Sequence, residues 1–154
     1  GATLEPTMSE HRATVRWSRT SDDFGYESYN RAHTWDFGDG VVVPASAAPD
    51  FKGEAERVDP EEAFVASLSS CHMLTFLALC SKKRLTVDGY ADAAVGTLGK
   101  NEQGRLAMTD VVLRPQVTFA GDAPGPEALQ KLHQRAHEQC FIANSVQTRV
   151  RIEA

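Results

Sequence analysis

The sequence predicts an α+β fold, on the evidence of two long helical patterns set among stretches of strand-forming residues. Residues 60–80 stay apolar or small for about five helical turns, and a second stretch, with Pro126 and Glu127 in its first turn and an end near Cys140, carries an amphipathic pattern. The stretches before, between and after them alternate in polarity or are rich in β-branched residues. Strands that precede, separate and follow two helices are typical of the α+β class.

The first strands are predicted from alternation and turn residues. Residues 11–19 place apolar and polar side chains on opposite sides, which is the pattern of a half-buried strand. Residues 29–37 and a partner that begins at Val41 flank the turn Gly38-Asp39-Gly40, so they are expected to form a hairpin. Period two places Arg31 on one face of its first arm.

The first helix has an unusual composition. It begins at Asp59-Pro60, where a helix can start without losing a needed donor, and almost no charge follows Glu62 until the basic residues 82–84, which are expected to cap its negative end. A helix that is apolar on every face is expected to be buried in the middle of a fold. Its two odd residues are the carboxylate of Glu61 and the thiol of Cys71.

The second half of the chain continues the alternation of strands and helix. Residues 85–98 and 106–119 flank a turn and predict a long antiparallel hairpin, with Pro115 at a bulge or an edge. The amphipathic helix is expected to end near Cys140, and Asn144 is a candidate for a left-handed cap. Residues 146–152 close the chain as a strand.

The length, composition and net charge of the chain favour a single cytoplasmic domain. The chain has 154 residues, 42% hydrophobic and 24% charged, which suits a single domain over residues 11–154, with residues 1–10 a disordered or expression-derived arm. A net charge of −5 with scattered basic residues gives no footprint for nucleic acid. No stretch has the pattern of a signal peptide. The apolar run around Cys71 is too short and contains too many serines to be expected to cross a membrane.

The three cysteines, Cys71, Cys80 and Cys140, match no metal or redox motif of the CxxC type. A cysteine in an apolar helix is by default a small hydrophobe, and this holds most strongly for Cys80. A reactive thiolate in such a site needs a cation, and arginine suits because it stays charged when desolvated. The constellation to look for is therefore Cys71, an arginine from a neighbouring strand, and Glu61 or Glu62 to hold that arginine.

Two motifs together resemble the OsmC/Ohr family of bacterial hydroperoxide-reducing proteins. One runs from Asp59-Pro60-Glu61-Glu62 to Cys71, and the other is residues 136–140 with Asn144 four residues later. The resemblance covers nearly the whole chain beyond about residue 10 and implies antiparallel sheets wrapped around a buried central helix in an intertwined homodimer. It also implies a thiol-dependent peroxidase.

The resemblance implies a role for each site residue. Cys71 is similar to the peroxidatic cysteine, which becomes a sulfenic acid, and Cys140 to the resolving cysteine that closes a disulfide with it. Glu61 is placed like the carboxylate that positions the catalytic arginine. Arg31 is the best match for that arginine, with Arg19 and Arg57 as alternatives.

The implied cycle needs a hydroperoxide substrate and a dithiol reductant, which is a lipoylated protein or a small dithiol in this family. It needs no metal and no bound organic cofactor. Phe141 stands where the Ohr branch usually has proline, and His72 follows Cys71 directly, so the chain looks closer to OsmC. Phe64, Met73 and Phe76 suit either a pocket for an organic hydroperoxide or the core.

Three alternatives remain. His133, His137 and Cys140 fall at i, i+4 and i+7, a spacing that would suit zinc, although two surface histidines explain the pattern more simply. A cysteine hydrolase is disfavoured, because adjacent helical residues point about 100° apart and His72 cannot serve Cys71 as a base. The third alternative is an OsmC-like protein that binds a small molecule without significant peroxidase turnover.

Overall fold

The computed structural model describes residues 8–154, which form two compact units, one up to Pro60 and one from Glu61 to Ala154. The predicted arm over residues 1–10 lies mostly outside the described residues. Residues 8–10 are exposed and have no regular structure.

The first unit is a three-stranded antiparallel sheet in the order β1-β2-β3. Its strands are β1 (Thr14–Arg16), β2 (His33–Asp36) and β3 (Val42–Ala45), and a short 3₁₀ helix follows at Pro49–Phe51. The predicted hairpin is confirmed, with positive φ at all three residues of the turn 38–40.

Strand β2 begins later than predicted, so Arg31 lies before it. A turn at residues 25–29, in which the N–H groups of Ser28 and Tyr29 donate to the carbonyl of Gly25, occupies the predicted start of the strand. The guanidinium of Arg31 donates to the carbonyls of Tyr26 and Tyr29 in that turn. The bond to Tyr29 satisfies a carbonyl that the predicted strand would have used in its ladder.

The second unit contains helix α1 (Pro60–Lys82) and helix α2 (Pro126–Gln139). The predicted long hairpin is present but broken in each arm, giving strands β4 (Val87–Asp92), β5 (Val95–Lys100), β6 (Leu106–Leu113) and β7 (Pro115–Phe119). Strand β4 pairs with β7, while β5 pairs with β6. The closing strand β8 (Arg149–Ile152) runs parallel to β6.

Asp92, the last residue of β4, stabilises the chain at the point where the hairpin is broken. Its carboxylate accepts the backbone N–H of Arg114 at 2.6 Å and the hydroxyl of Ser69 at 2.5 Å. Pro115 opens β7, a position where a strand tolerates the missing donor, and the register shifts lie elsewhere, between Val87 and Gly89 and between Thr97 and Leu98.

Helix α1 buries one side rather than every side. Its buried residues form one stripe: Leu68, His72, Phe76, Leu79 and Cys80. An opposite stripe, made of Ala66, Ser70, Leu74 and Ala78, is exposed. By length and composition alone α1 could cross a membrane, but the core helix of a soluble protein passes the same test.

Two apolar clusters divide the buried side of α1 between them. The C-terminal half contributes Phe76, Leu79 and Cys80, which pack with Leu132 and Ala136 of α2. The N-terminal half contributes Leu68, which packs with Val111 and Leu113 of β6.

Both helices end differently from the sequence expectation. Arg84 adopts a left-handed conformation (φ 61°) after α1, and the N–H of Leu85 donates to the carbonyl of Cys80 at 2.9 Å, which closes the helix end. Asn144 is not left-handed and lies in a 3₁₀ turn (Ala143–Ser145). Its side-chain amide instead donates to the carbonyl of Glu138 at 3.2 Å, which satisfies the end of α2 directly.

We expect Phe76→Ala to lower the free energy of unfolding by about 3–5 kcal/mol, because it removes a fully buried ring from the larger cluster. Phe141→Ala is the matched control. That ring is 80% exposed, so its loss should change stability by less than about 0.5 kcal/mol. Urea denaturation followed by circular dichroism measures both, and equal effects would contradict the assigned core.

Candidate functional site

Cys71 and Cys140 are brought together by the packing of α2 against α1. Cys71 lies midway along α1 and is half-buried, while Cys140 follows the last residue of α2 and is buried. Both are free thiols, and they lie close enough for the Cys71 thiol to raise the pKa of Cys140. Sixty-nine positions of sequence therefore separate two sulfur atoms that are neighbours in the structure.

The surroundings of Cys140 favour the protonated thiol. Burial raises the pKa of the Cys140 thiol most strongly, and the neighbouring Cys71 raises it further. The backbone N–H groups of Ala143 and Ile142 act in the opposite direction, and the former lies 3.5 Å from the sulfur. A buried thiol beside a more exposed one is the arrangement that suits disulfide formation between them.

Cys80 is a core residue. It is buried in the cluster around Phe76, and burial raises the pKa of its thiol. A buried cysteine without a nearby cation is chemically inert, so the default interpretation of this residue holds.

Glu61 lies in the first turn of α1, where a carboxylate favours the positive end of the helix dipole. One of its carboxylate oxygens is buried and has no hydrogen-bond partner among residues 8–154. A buried carboxylate oxygen calls for a donor, since leaving it unpaired costs free energy.

Arg31 belongs to the first unit and is held by aromatic side chains. Its guanidinium lies 3.5 Å from the ring centroid of Tyr29 and 5.0 Å from that of Tyr26. It makes no ion pair within the described part of the chain. Trp17, Phe24 and Tyr29 line a pocket of about 440 Å³ beside it.

The side chains of the two alternative arginines, Arg57 and Arg19, are hydrogen-bonded to backbone carbonyls of the first unit. Arg57 donates to the carbonyl of His33 at 3.0 Å and lies 3.5 Å from the carboxylate of Glu54. Arg19 donates to the carbonyls of Ser21 and Asp22. Of the three arginines considered, Arg31 alone is held by backbone carbonyls and aromatic rings and also lines the aromatic pocket.

His133 is not the surface residue that the amphipathic pattern suggested. It is 2% exposed, and its Nδ1 lies 3.0 Å from Nε2 of His72, which is 1% exposed. In the sequence, the only indication of this pair is the position of His72 within an otherwise apolar helix. Burial also explains the pKa of His72, which is lowered to about 4, chiefly by desolvation and then by the charges of His133 and His137.

The zinc alternative is not supported. No group of three potential ligands among His, Cys, Asp and Glu comes together anywhere in residues 8–154. The thiol of Cys140 lies beside Cys71, and the ring of His133 is hydrogen-bonded to His72.

The aromatic residues that could have lined a substrate pocket belong at least partly to the core. Phe76 is fully buried and stacks on His133, with ring centroids 4.2 Å apart. Phe64 packs against the cluster around Leu68.

The fold and the thiol pair define an OsmC-like protein. Residues 53–154 match the family model described as OsmC-like protein, so the chain belongs to this family. An OsmC-like protein of unknown function from Vibrio cholerae is 53% identical, with a TM-score of 0.91 over 95% of this chain and 99% of that one. The predicted α+β fold and family are thereby confirmed.

More distant solved structures share the fold. An organic hydroperoxide resistance protein from Elizabethkingia anophelis is 17% identical, with a TM-score of 0.72 over 96% of this chain and 95% of that one. A similar protein from Legionella pneumophila is also 17% identical, with a TM-score of 0.69 over 96% of each chain. No protein with a curated description matches significantly.

The buried histidine pair predicts a specific loss of stability in mild acid. The pKa of His72 is 6.5 when exposed and about 4 in the folded protein, so the neutral form contributes stability above about pH 6.5 that is lost as the pH falls towards 4. Between pH 7 and pH 5 this single group should lower the free energy of unfolding by about 2 kcal/mol.

His72→Gln should flatten that slope, because the amide can still hydrogen-bond but does not titrate in this range. The exposed His11 offers a control, and His11→Gln should keep the wild-type slope. Urea denaturation across this pH range measures both variants. Identical slopes for wild type and His72→Gln would show that the pair does not titrate on unfolding.

Proposed function

We propose that this protein is a cytoplasmic, cysteine-based peroxidase that reduces organic hydroperoxides. The observation that carries the proposal is the pairing of a half-buried Cys71 with a buried Cys140 in an OsmC-like fold. Relatives of the same fold are named organic hydroperoxide resistance proteins. The chemistry requires two thiols that can reach each other and no metal.

In the proposed cycle the Cys71 thiolate attacks the distal oxygen of the hydroperoxide, and the O–O bond breaks. Cys71 becomes a sulfenic acid, and the departing alkoxide takes up a proton to leave as an alcohol. The Cys140 sulfur then attacks the sulfur of Cys71, forming the disulfide and releasing water. A dithiol, either a lipoylated protein or a small molecule, reduces the disulfide by exchange and is itself oxidised.

Arg31 and Glu61 are assigned the supporting roles of the family pattern. The guanidinium stabilises the thiolate and polarises the peroxide, and the carboxylate orients the guanidinium. Two observations support the assignment. Arg31 has no ion-pair partner among the described residues, and a buried oxygen of Glu61 has no donor there.

The main test is turnover of cumene hydroperoxide or tert-butyl hydroperoxide with dihydrolipoamide as reductant. Cys71→Ser should lower turnover by roughly a hundredfold or more, because the nucleophile is lost. Cys140→Ser should still complete one sulfur oxidation, leaving a sulfenic acid that dimedone traps. Cys80→Ala, which removes a core thiol, serves as the control and should keep its activity.

Mass spectrometry after one equivalent of hydroperoxide gives an independent check. A peptide linked through Cys71 and Cys140 is the expected product. Unchanged turnover in Cys71→Ser would defeat the peroxidase proposal.

We further propose that the protein acts as a homodimer with α1 at its centre. The exposed stripe of α1, made of Ala66, Ser70, Leu74 and Ala78, is composed of small and apolar side chains. Leu74 is 60% exposed there. A second copy would cover this stripe, and small side chains allow two helices to approach closely.

Leu74→Glu should shift the protein from dimer to monomer, because a carboxylate would be buried between the two helices without a partner. Leu106→Glu is a matched control, since Leu106 is 62% exposed at the start of β6, outside the stripe on α1, and should leave the dimer intact. Sedimentation velocity at micromolar concentration distinguishes the outcomes. A monomeric wild type, or equal behaviour of the two variants, would contradict the proposed interface.

A second candidate is a small-molecule binding protein with slow cysteines. The pocket of about 440 Å³ lined by Trp17, Phe24 and Tyr29 favours it, because aromatic walls with one cation suit an aromatic acid. Titration of Cys71→Ser with 2-naphthoate, followed by tryptophan fluorescence, separates this reading from the first. Saturable binding without peroxide turnover in the wild type would favour the binding protein.

A further inference from the structure

His72 and His133 form a side-by-side imidazole pair in the core of the second unit. Their rings are nearly parallel, 8° apart, with centroids separated by 5.3 Å. That separation is too long for stacked faces, while Nε2 of His72 lies 3.0 Å from Nδ1 of His133. The rings therefore meet edge to edge through one N–H···N hydrogen bond that lies close to both ring planes.

The pair connects the two helices beside the thiols. His72 is the residue after Cys71 on α1, and His133 lies on α2 seven positions before Cys140. Phe76 stacks on the face of His133 at 4.2 Å and 12°. The hydrogen bond is directional, unlike the apolar contacts of the surrounding cluster, so it fixes how α2 is placed along α1.

Adding protons to this buried pair is energetically unfavourable. Nδ1 of His72 and Nε2 of His133 are both buried and have no partner in residues 8–154. A first additional proton would keep the N–H···N bond but place a charge beside Phe76 and a second unpaired N–H in the core, and a second proton would set two N–H groups against each other.

The ionisable groups around the pair do not provide an acceptor. Asp92 on β4 favours protonation of both rings through its charge, but its two oxygens are occupied by Ser69 and Arg114. Tyr90 on β4 packs on Phe76, and its hydroxyl has no partner among the described residues. His137 on α2 opposes protonation of His72.

We propose that the His72–His133 hydrogen bond is a positioning contact that sets Cys140 against Cys71, and that acid weakens this contact by charging the buried pair. Neither histidine touches the reacting sulfur atoms in this role. Both act through the placement of α2. The proposal rests on the Cys71–Cys140 disulfide of the proposed function, but it concerns only how easily that bond forms.

The test measures disulfide formation without peroxide. Diamide, an azo compound, takes two electrons and two protons from the two thiols and becomes a hydrazine, so it forms the disulfide even if hydroperoxides are not substrates. The equilibrium constant for exchange with dithiothreitol, with a selenol added as exchange catalyst, then reports how strongly the fold favours the bond.

Two variants of His133 separate the hydrogen bond from the stack. His133→Phe keeps the ring on Phe76 but leaves Nε2 of His72 unpaired, and should lower the exchange constant near pH 7 by about tenfold. His133→Asn places an amide near the position of Nδ1, does not titrate, and should stay within about threefold of wild type near pH 7.

Acid should then separate the wild type from His133→Asn. Near pH 3, below the pKa of about 4 that His72 has in the folded protein, we expect the exchange constant of the wild type to fall by about tenfold more than that of His133→Asn. His11→Asn should behave as the wild type. Circular dichroism verifies folding, and His72→Gln, measured in the same way, replaces any His133 variant that does not fold.

Each outcome bears on one proposal. An unchanged constant in His133→Phe, or equal pH responses in wild type and His133→Asn, would overturn the positioning role. The expected pattern in a protein that fails to reduce hydroperoxides would support the positioning role and count against the peroxidase.

Discussion

The structure of the second unit depends on the burial of one stripe of α1, with Phe76 at its centre. Phe76 contacts His133 of α2 and Tyr90 of β4, so one side chain links a helix and a strand to the central helix. This contact places α2 on α1, and the placement of α2 brings Cys140 to Cys71. Apolar packing thus brings the two helices together, and the His72–His133 hydrogen bond is proposed to set the position of α2 along α1.

The first unit holds the guanidinium of Arg31 in a defined place. Tyr26 and Tyr29 provide both ring faces and carbonyl acceptors within one turn, so Arg31 is stabilised by cation–π contacts and hydrogen bonds together. This suits a residue proposed to act on an anionic thiolate.

Much of the fold could be predicted because local signals were strong. Pro60 and the apolar run marked α1, and the glycines around Asp39 marked the first hairpin. The break in the long hairpin could not be predicted, because it depends on Asp92 meeting the N–H of Arg114, 22 positions later. The late start of β2 likewise depends on the Arg31 side chain bonding a turn.

The thiol pair was predicted through family resemblance, since nothing local to Cys71 or Cys140 indicates that they meet. The histidine pair was missed for a related reason. His133 sits on a helix with a clear apolar stripe, and its burial follows from a partner 61 positions earlier. Amphipathic patterns locate the buried side of a helix but not the polar groups that are paired within it.

The broken hairpin has a consequence for Cys71. Its two halves serve opposite ends of α1: β4 and β7 pack against the Phe76 cluster, while β6 packs with Leu68. Cys71 lies on α1 between Leu68 of one cluster and Phe76 of the other, and it is only half-buried. This residue is therefore partly exposed to solvent while both apolar cores are closed.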